Sequence, residues 1–279
     1  MGTLYIVGTP IGNLEDITLR AVRVLGQVDL IAAEDTRVSR RLLSHLDIHL
    51  PLTSYHQHNW QAKLPSLLEA LGSGDVALVT DAGMPGISDP GSELVVKAAE
   101  AGFSVEVVPG VSAVTTALAV SGLPGESFLF IGFLPRRSNE RRAQLESVAS
   151  LPQTLVIFEA PHRLTATLQK MLAVLGNRQI SVCRELTKLH QEVFRGLISQ
   201  ALDYFEAPRG EFVLVVAGAA DQGSESGGAP PDLSQIKSQL QELRKSGARA
   251  KEAVALVAES SGLSKNRVYE LWLKTRGQA

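Results

Sequence analysis

Three loops in the first half of this chain combine glycine, proline and short polar side chains in a way that suits close approach of a small molecule. They read GTPIGN at Gly8–Asn13, DAGMPGISDPG at Asp81–Gly91 and PGVSA at Pro109–Ala113. Glycine permits positive φ and exposes the backbone to a ligand, and proline fixes a loop without adding a donor. Ser112 and Ala113 open a helix, whose first N–H groups have no internal acceptor. Any one such loop is an ordinary strand-to-helix turn. Three along one half-chain point to a pocket built of backbone groups. GTPIGN lacks the GxGxxG spacing, and no acidic residue stands in the expected place after it, which disfavours a nicotinamide or flavin site. The absence of GxxxxGK[ST] excludes a P-loop. With one cysteine, Cys183, and no HExxH string, neither an internal disulfide nor a cysteine-built or HExxH zinc site is expected, and no metal is assigned. At this point the residues describe an α/β protein with an unassigned ligand.

The loops need a frame, and the apolar pattern supplies one. Short apolar runs at Leu4–Val7, Leu30–Ala33, Leu50–Ser54, Val76–Val79 and Val105–Val108 alternate with helix candidates at Thr18–Leu25, Arg40–Leu46, Lys63–Gly72, Gly91–Gly102 and Ser112–Val120. Such alternation predicts a mostly parallel α/β sheet. Loops at the carboxyl ends of parallel strands are where open sheets bind ligands. Ser121–Glu126, with two glycines and a proline, marks a boundary. A second block follows, with strands at Phe128–Phe133, Thr154–Phe158, Ile180–Cys183, Glu192–Gly196 and Phe212–Ala217, partly antiparallel, and helices at Glu140–Leu151 and Leu164–Leu175. Residues 1–121 and 122–220 are thus expected to form two α/β domains. The linker 221–231, DQGSESGGAPP, has no apolar residue larger than alanine.

Residues 232–279 predict three helices at Leu233–Lys245, Ala250–Ser260 and Lys265–Lys274. They carry nine Lys/Arg against five Asp/Glu, so this basic module sits on a body of charge −6, within a net charge of −2 over 279 residues. Ala258, Gly262 and Val268 have helix-turn-helix spacing, Ser264 is placed to cap the second helix, and Lys265 and Arg267 decorate it as RNA-binding candidates on a nucleic-acid-docking helix. A three-helix packing module is the equal alternative, and Trp272 suits its core. No apolar run reaches the roughly 18 residues of a membrane span, and the N-terminus reads as a strand rather than a signal peptide. A cytoplasmic protein is expected.

Five strings carry a resemblance beyond this. VGTPIGNLEDIT at Val7–Thr18, IAAEDTRVSRRLL at Ile31–Leu43, DAGMPGISDPG at Asp81–Gly91, and FEAPHR with CRELTK at Phe158–Arg163 and Cys183–Lys188 resemble the bacterial 16S rRNA cytidine 2′-O-methyltransferases of the decoding centre. These belong to the tetrapyrrole methylase-like S-adenosylmethionine enzymes. Met84 stands where that family usually has a small polar residue. The resemblance implies two α/β domains with S-adenosyl-L-methionine in the cleft between them, a homodimer, and 16S rRNA of the small ribosomal subunit as partner. It places Pro10, Asp81, Gly83, Met84, Gly86, Ile87, Ser112 and Ala113 around the donor, with Phe158, Glu159, Cys183, Glu211 and Phe212 from the second domain.

The chemistry of the residues fits that picture. A carboxylate such as Asp81 can hold the donor's ammonium or ribose, helix-start amides at Ser112 suit its carboxylate, and Ile87 and Ala113 leave room for adenine. The strand ends Glu34-Asp35-Thr36-Arg37 and Arg184-Glu185-Leu186-Thr187-Lys188 offer a base or a cation near the acceptor, with Glu185 and Lys188 the catalytic candidates. The clusters Arg37, Arg40, Arg41 and Arg136, Arg137, Arg141, Arg142 suit RNA phosphates. A tetrapyrrole methyltransferase of the same fold and a non-catalytic ribosome-binding factor are the competing expectations.

Overall fold

The computed structural model describes residues 2–219, 233–246, 248, 250–261 and 265–274. Two compact units result, 1–218 and 219–279.

The first unit contains two five-stranded sheets. The first has the order β3-β2-β4-β1-β5, built from β1 (Thr3–Val7), β2 (Leu30–Ala33), β3 (Leu52–Ser54), β4 (Val76–Val79) and β5 (Ser104–Val108). Every pairing in it is parallel. Side chains alternate across the sheet, and both faces are buried. Val7, Ile31, Ala33, Ala77 and Val79 pack under α1 (Leu19–Leu25) and α2 (Thr36–His45). Leu4, Ile6, Ala32, Val76 and Leu78 pack under α3 (Trp60–Ser73) and α4 (Ser92–Glu100). Burial on both faces explains why these strands read as unbroken apolar runs.

The second sheet has the order β6-β7-β10-β8-β9, from β6 (Phe128–Phe133), β7 (Thr154–Glu159), β8 (Gln179–Arg184), β9 (Glu192–Leu197) and β10 (Phe212–Val216). Only β6 and β7 pair in parallel; the other pairings are antiparallel. One face carries α6 (Ser138–Val148), α7 (Leu164–Leu175) and α8 (Ile198–Tyr204) over Leu155, Ile157, Val182 and Leu214. The other face is covered by α5 (Ala113–Ser121), through Val114 and Ala117 against Val156, Cys183, Val213 and Val215. Helix α5 thus precedes the Gly/Pro break at 121–126 yet buries its apolar side on the second sheet.

Two local differences from the sequence reading have clear causes. Helix α2 starts four residues earlier than its apolar pattern, because the Asp35 carboxylate accepts the Arg37 N–H and caps it. Helix α8 had no sequence signal of its own. It is seven residues long and starts where the Gln200 side chain accepts the Leu197 N–H.

The second unit holds α9 (Leu233–Lys245), α10 (Ala250–Ser261) and α11 (Lys265–Lys274). Ile236, Leu240, Val254, Val257, Val268, Leu271 and Trp272 form its core. Arg244 donates to the Trp272 carbonyl at 2.8 Å and lies 4.0 Å from the centroid of its ring. Trp272 is therefore a core residue. Gly262, Ser264 and the side chains of Lys265 and Arg267 lie outside the described residues.

Candidate functional site

In an all-parallel sheet every strand ends at the same edge, so the loops after β1, β2, β4 and β5 must assemble there. They are stitched together by backbone. Thr9 and Gly83 exchange both hydrogen bonds, at 2.9 and 3.1 Å. Gly8 and Gly110 meet face to face: a Cβ on Gly110 would fall 2.9 Å from the Gly8 Cα. Between β2 and β4, the Asp81 carboxylate accepts the Asp35 N–H at 3.0 Å, and Glu34 accepts the Asp81 N–H at 3.4 Å.

The second sheet presents a matching edge. Because β10 runs antiparallel to β7 and β8, its first residue, Phe212, sits opposite Glu159 and Arg184 at their ends. The two edges enclose a cleft of about 390 Å³. Asp81, Gly83, Met84, Ile87, Ser112 and Ala113 line one wall, and Phe158, Glu159, Cys183, Glu211 and Phe212 the other. Of the thirteen residues expected around a donor, Pro10 and Gly86 do not line it; Pro10 is buried. Glu34, Ser88, Asp89, Phe133 and Leu186 line it as well. Asp89 lay within the recognised DAGMPGISDPG string, but nothing along the chain indicates that its carboxylate shares space with Glu34, more than fifty positions earlier.

The walls differ in electrostatics. Burial raises the proton affinity of Glu34 and of Asp81, against the backbone hydrogen bond each accepts. Burial also pushes Asp89 up to about 7, helped by the facing charges of Glu34 and Asp81. The rim behaves otherwise: the hydrogen bonds from Arg37 take Asp35 down to about 2. On the opposite wall Glu159 is fully buried and fully engaged. It accepts from the Thr167 hydroxyl at 2.5 Å and the Ala160 N–H at 2.9 Å, and it pairs with Arg163 at 3.3 Å. Burial raises the Cys183 thiol, which keeps it protonated.

Glu185 and Lys188 do not line the cleft. Lys188 is held between Glu185 at 3.1 Å and Glu211 at 2.8 Å. Burial works against its charge, but those two carboxylates outweigh it and raise its proton affinity. Burial likewise works against the Glu185 carboxylate, yet the Glu211 N–H and Lys188 hold it below the usual range. The pair suits structure better than proton transfer: it secures the loop that meets Gly12, where a Cβ would fall 2.5 Å from the Lys188 Cγ.

The arginine clusters divide. Arg37, Arg40, Arg41, Arg136, Arg137 and Arg142 are exposed. Arg141 is buried, donating to the Thr167 hydroxyl at 3.3 Å and the Arg136 carbonyl at 3.0 Å. It is removed from the phosphate-binding set because it braces the Glu159 network. Arg37, Arg137 and Arg142 pair with Asp35, Glu140 and Glu146.

Residues 3–202 match the tetrapyrrole (corrin/porphyrin) methylases. The chain is 47% identical over 274 residues to ribosomal RNA small subunit methyltransferase I of Halalkalibacterium halodurans, covering 97% of this chain and 94% of that protein. It is 44% identical to the protein of the same name from Synechocystis, covering 98% of each. Among solved structures, uroporphyrin-III-C-methyltransferase from Thermus thermophilus superposes with a TM-score of 0.56 at 23% identity, covering 77% of this chain and 94% of that one. Diphthine synthase superposes with 0.61 at 14% identity, covering 77% and 90%. Those two similarities concern the fold alone.

Proposed function

This chain belongs to the tetrapyrrole methylase family, beside the proteins named ribosomal RNA small subunit methyltransferase I, and we propose on that premise that it transfers a methyl group from S-adenosylmethionine to the 2′-hydroxyl of a cytidine in 16S rRNA. The observation that carries the substrate is the near full-length similarity to relatives whose names specify small-subunit ribosomal RNA. The resemblance of the loop strings to the cytidine 2′-O-methyltransferases narrows it to the ribose.

The cleft fits the donor by its chemistry. Its volume lies within the roughly 300–1,000 Å³ of small-molecule sites. Asp81 and Glu34 would hold the ammonium. The amides that begin α5 would take the carboxylate, since Ser112 makes no side-chain cap to occupy them. Ile87, Phe133 and Phe158 offer apolar surface for adenine. The bound donor supplies a sulfonium-activated methyl group. The protein's task is then alignment: holding an acceptor oxygen in line can contribute about 7–11 kcal/mol, and walls tied by backbone bonds are stiff enough to do so.

For the RNA, Arg40, Arg41 and Arg136 are exposed and make no ion pair among the described residues. The paired Arg37, Arg137 and Arg142 can exchange partners, because exposed pairs are worth about 0–1 kcal/mol. Arg40→Ala with Arg41→Ala should leave donor affinity unchanged. It should weaken binding to small ribosomal subunits and reduce the slope of log K against log salt by about one per lost contact. An unaltered slope would take these residues out of the interface. The same reading includes a homodimer and a cytoplasmic location. Among the described residues no helix is long and apolar enough to cross a membrane.

Transfer of labelled methyl from S-adenosylmethionine to unmodified small subunits tests the whole proposal; labelling of a free precorrin instead would refute the RNA assignment. Calorimetry tests the donor site separately. Asp81→Ala should weaken donor binding about 10- to 100-fold, the worth of a hydrogen bond to a charged group. Unchanged affinity would remove Asp81 from the site.

A further inference from the structure

We propose that Asp89 is the general base that takes the proton from the acceptor hydroxyl, an assignment that rests on the methyl-transfer reading above. The reaction must release a proton. As the hydroxyl oxygen forms its bond to the methyl carbon, the carbon–sulfur bond breaks with its electron pair passing to sulfur. The O–H bond breaks with its pair passing to oxygen, and the proton goes to a carboxylate oxygen of Asp89. No other reagent is needed.

Elimination among the cleft side chains leads to this residue. Glu159 is saturated by Thr167, Ala160 and Arg163, and Cys183 is a buried, protonated thiol. Glu211 is tied to Lys188. Glu34 and Asp81 each accept a backbone N–H. Asp89 lines the cleft and, among the described residues, accepts no hydrogen bond and joins no ion pair. Its oxygens are therefore available to a ligand.

Backbone geometry holds it there. Ser88, the residue before it, has φ of 63°, a left-handed conformation that is costly for a residue with a side chain. The Ser88 hydroxyl lies 3.1 Å from where a Gly132 Cβ would stand, at the bulge where β6 shifts register against β7. The loop from the first sheet thus rests on an irregularity in the second, and Asp89 sits where the walls meet.

The charged groups set against Asp89 are Glu34 after β2 and Asp81 after β4; across the cleft are Glu159 and Glu211, each with its own cation. Partial burial, helped by the facing carboxylates of Glu34 and Asp81, puts its proton affinity at about 7 before the donor binds. A base is most effective when its pKa lies near the working pH. Glu185, held below the usual carboxylate range, is a weaker base and does not line the cleft.

The test uses the full-length protein with Asp89→Asn and Asp89→Glu. Donor affinity is measured by calorimetry, and single-turnover methylation of unmodified small subunits is followed against pH. Asp89→Asn should bind S-adenosylmethionine within about threefold of the parent yet react about 10²- to 10⁴-fold more slowly. It should also lose the fall in rate that the parent shows as pH drops below neutrality, and Asp89→Glu should recover part of the rate. Near pH 7, donor binding should expel protons from the parent and markedly fewer from Asp89→Asn, as read from binding heats in buffers of different ionisation enthalpy. An Asp89→Asn rate within threefold of the parent, or a pH limb that persists in it, would overturn the assignment. Loss of donor binding in that variant would overturn it too, making Asp89 a donor ligand. A parent protein that binds donor and does not methylate RNA would instead defeat the function from which the assignment starts.

Discussion

Glu159→Ala should cost the folded protein about 3–5 kcal/mol, the scale for removing one member of a buried ion pair. The Glu159 side chain is wholly inaccessible and that of Arg163 is 15% exposed. The carboxylate answers the Arg163 guanidinium, the Thr167 hydroxyl and the Ala160 N–H together. Arg141, also buried, donates to the same Thr167 hydroxyl. Deleting the carboxylate leaves the Arg163 guanidinium without its counter-ion and the Thr167 hydroxyl without its acceptor, and opens a void beside the cleft. Glu159→Gln keeps the shape and an acceptor for Thr167, so it should cost less than Glu159→Ala. Urea denaturation measures both; an Ala variant within 1 kcal/mol of the parent would mean that Arg163 is satisfied without the carboxylate, through the Leu134 and Pro135 carbonyls to which it already donates. The network also bears on the chemistry. It joins the end of β7, which forms the cleft wall, to α6 and α7, so a softened Glu159 should reduce methyl transfer even in molecules that remain folded.

Gly110→Val should abolish measurable donor binding, with an affinity loss of at least about 100-fold, and should destabilise the protein by about 1–3 kcal/mol, the cost of overpacking. The reason is space rather than backbone freedom. A Cβ on Gly110 would stand 2.9 Å from the Cα, 3.0 Å from the carbonyl carbon and 3.1 Å from the carbonyl oxygen of Gly8. These are backbone atoms at the end of β1 and cannot rotate away. Relief requires the PGVSA loop to part from GTPIGN, which moves the start of α5 relative to Gly83 and Asp81. Gly72→Ala is the control. It is exposed, lies in α3, and a Cβ there meets nothing within 4 Å, so stability should rise by about 0.5–1 kcal/mol with donor binding unchanged. If Gly110→Val bound donor as well as Gly72→Ala, the three loops would not form one site.

Much of the frame was legible along the chain because burial writes simple patterns. Strands β2, β4 and β6 have the expected limits, and the first two are apolar runs covered on both faces. The parallel sheet follows from alternation of strand and helix, and with it the gathering of GTPIGN, DAGMPGISDPG and PGVSA at one edge. Where a local polar interaction decided the outcome, the pattern was silent. The Asp35 cap adds a polar turn to α2, and α8 is too short to show a period. The site was legible as loops and less so as individual side chains. Pro10 belongs to the right loop but is buried away from the cleft lining, and Gly86 turns the chain at positive φ without lining the cleft.

The order of residues alone determined which segments become strands, which become helices and which loops share an edge, since these depend on neighbours within a few positions and on hydrophobic period. Only the tertiary structure decided what each polar side chain does. Arg141 and Arg142 are adjacent and chemically identical, yet one turns inward to Thr167 and the other outward to Glu146, because neighbours on a helix point about 100° apart. Asp81, Asp89 and Glu34 are three ordinary carboxylates in the chain. They become a coupled group because β2 and β4 are paired in the sheet and the loop after β4 folds back over them. Charge and proton affinity depend on distance through space, and distance through space is what a linear sequence does not state.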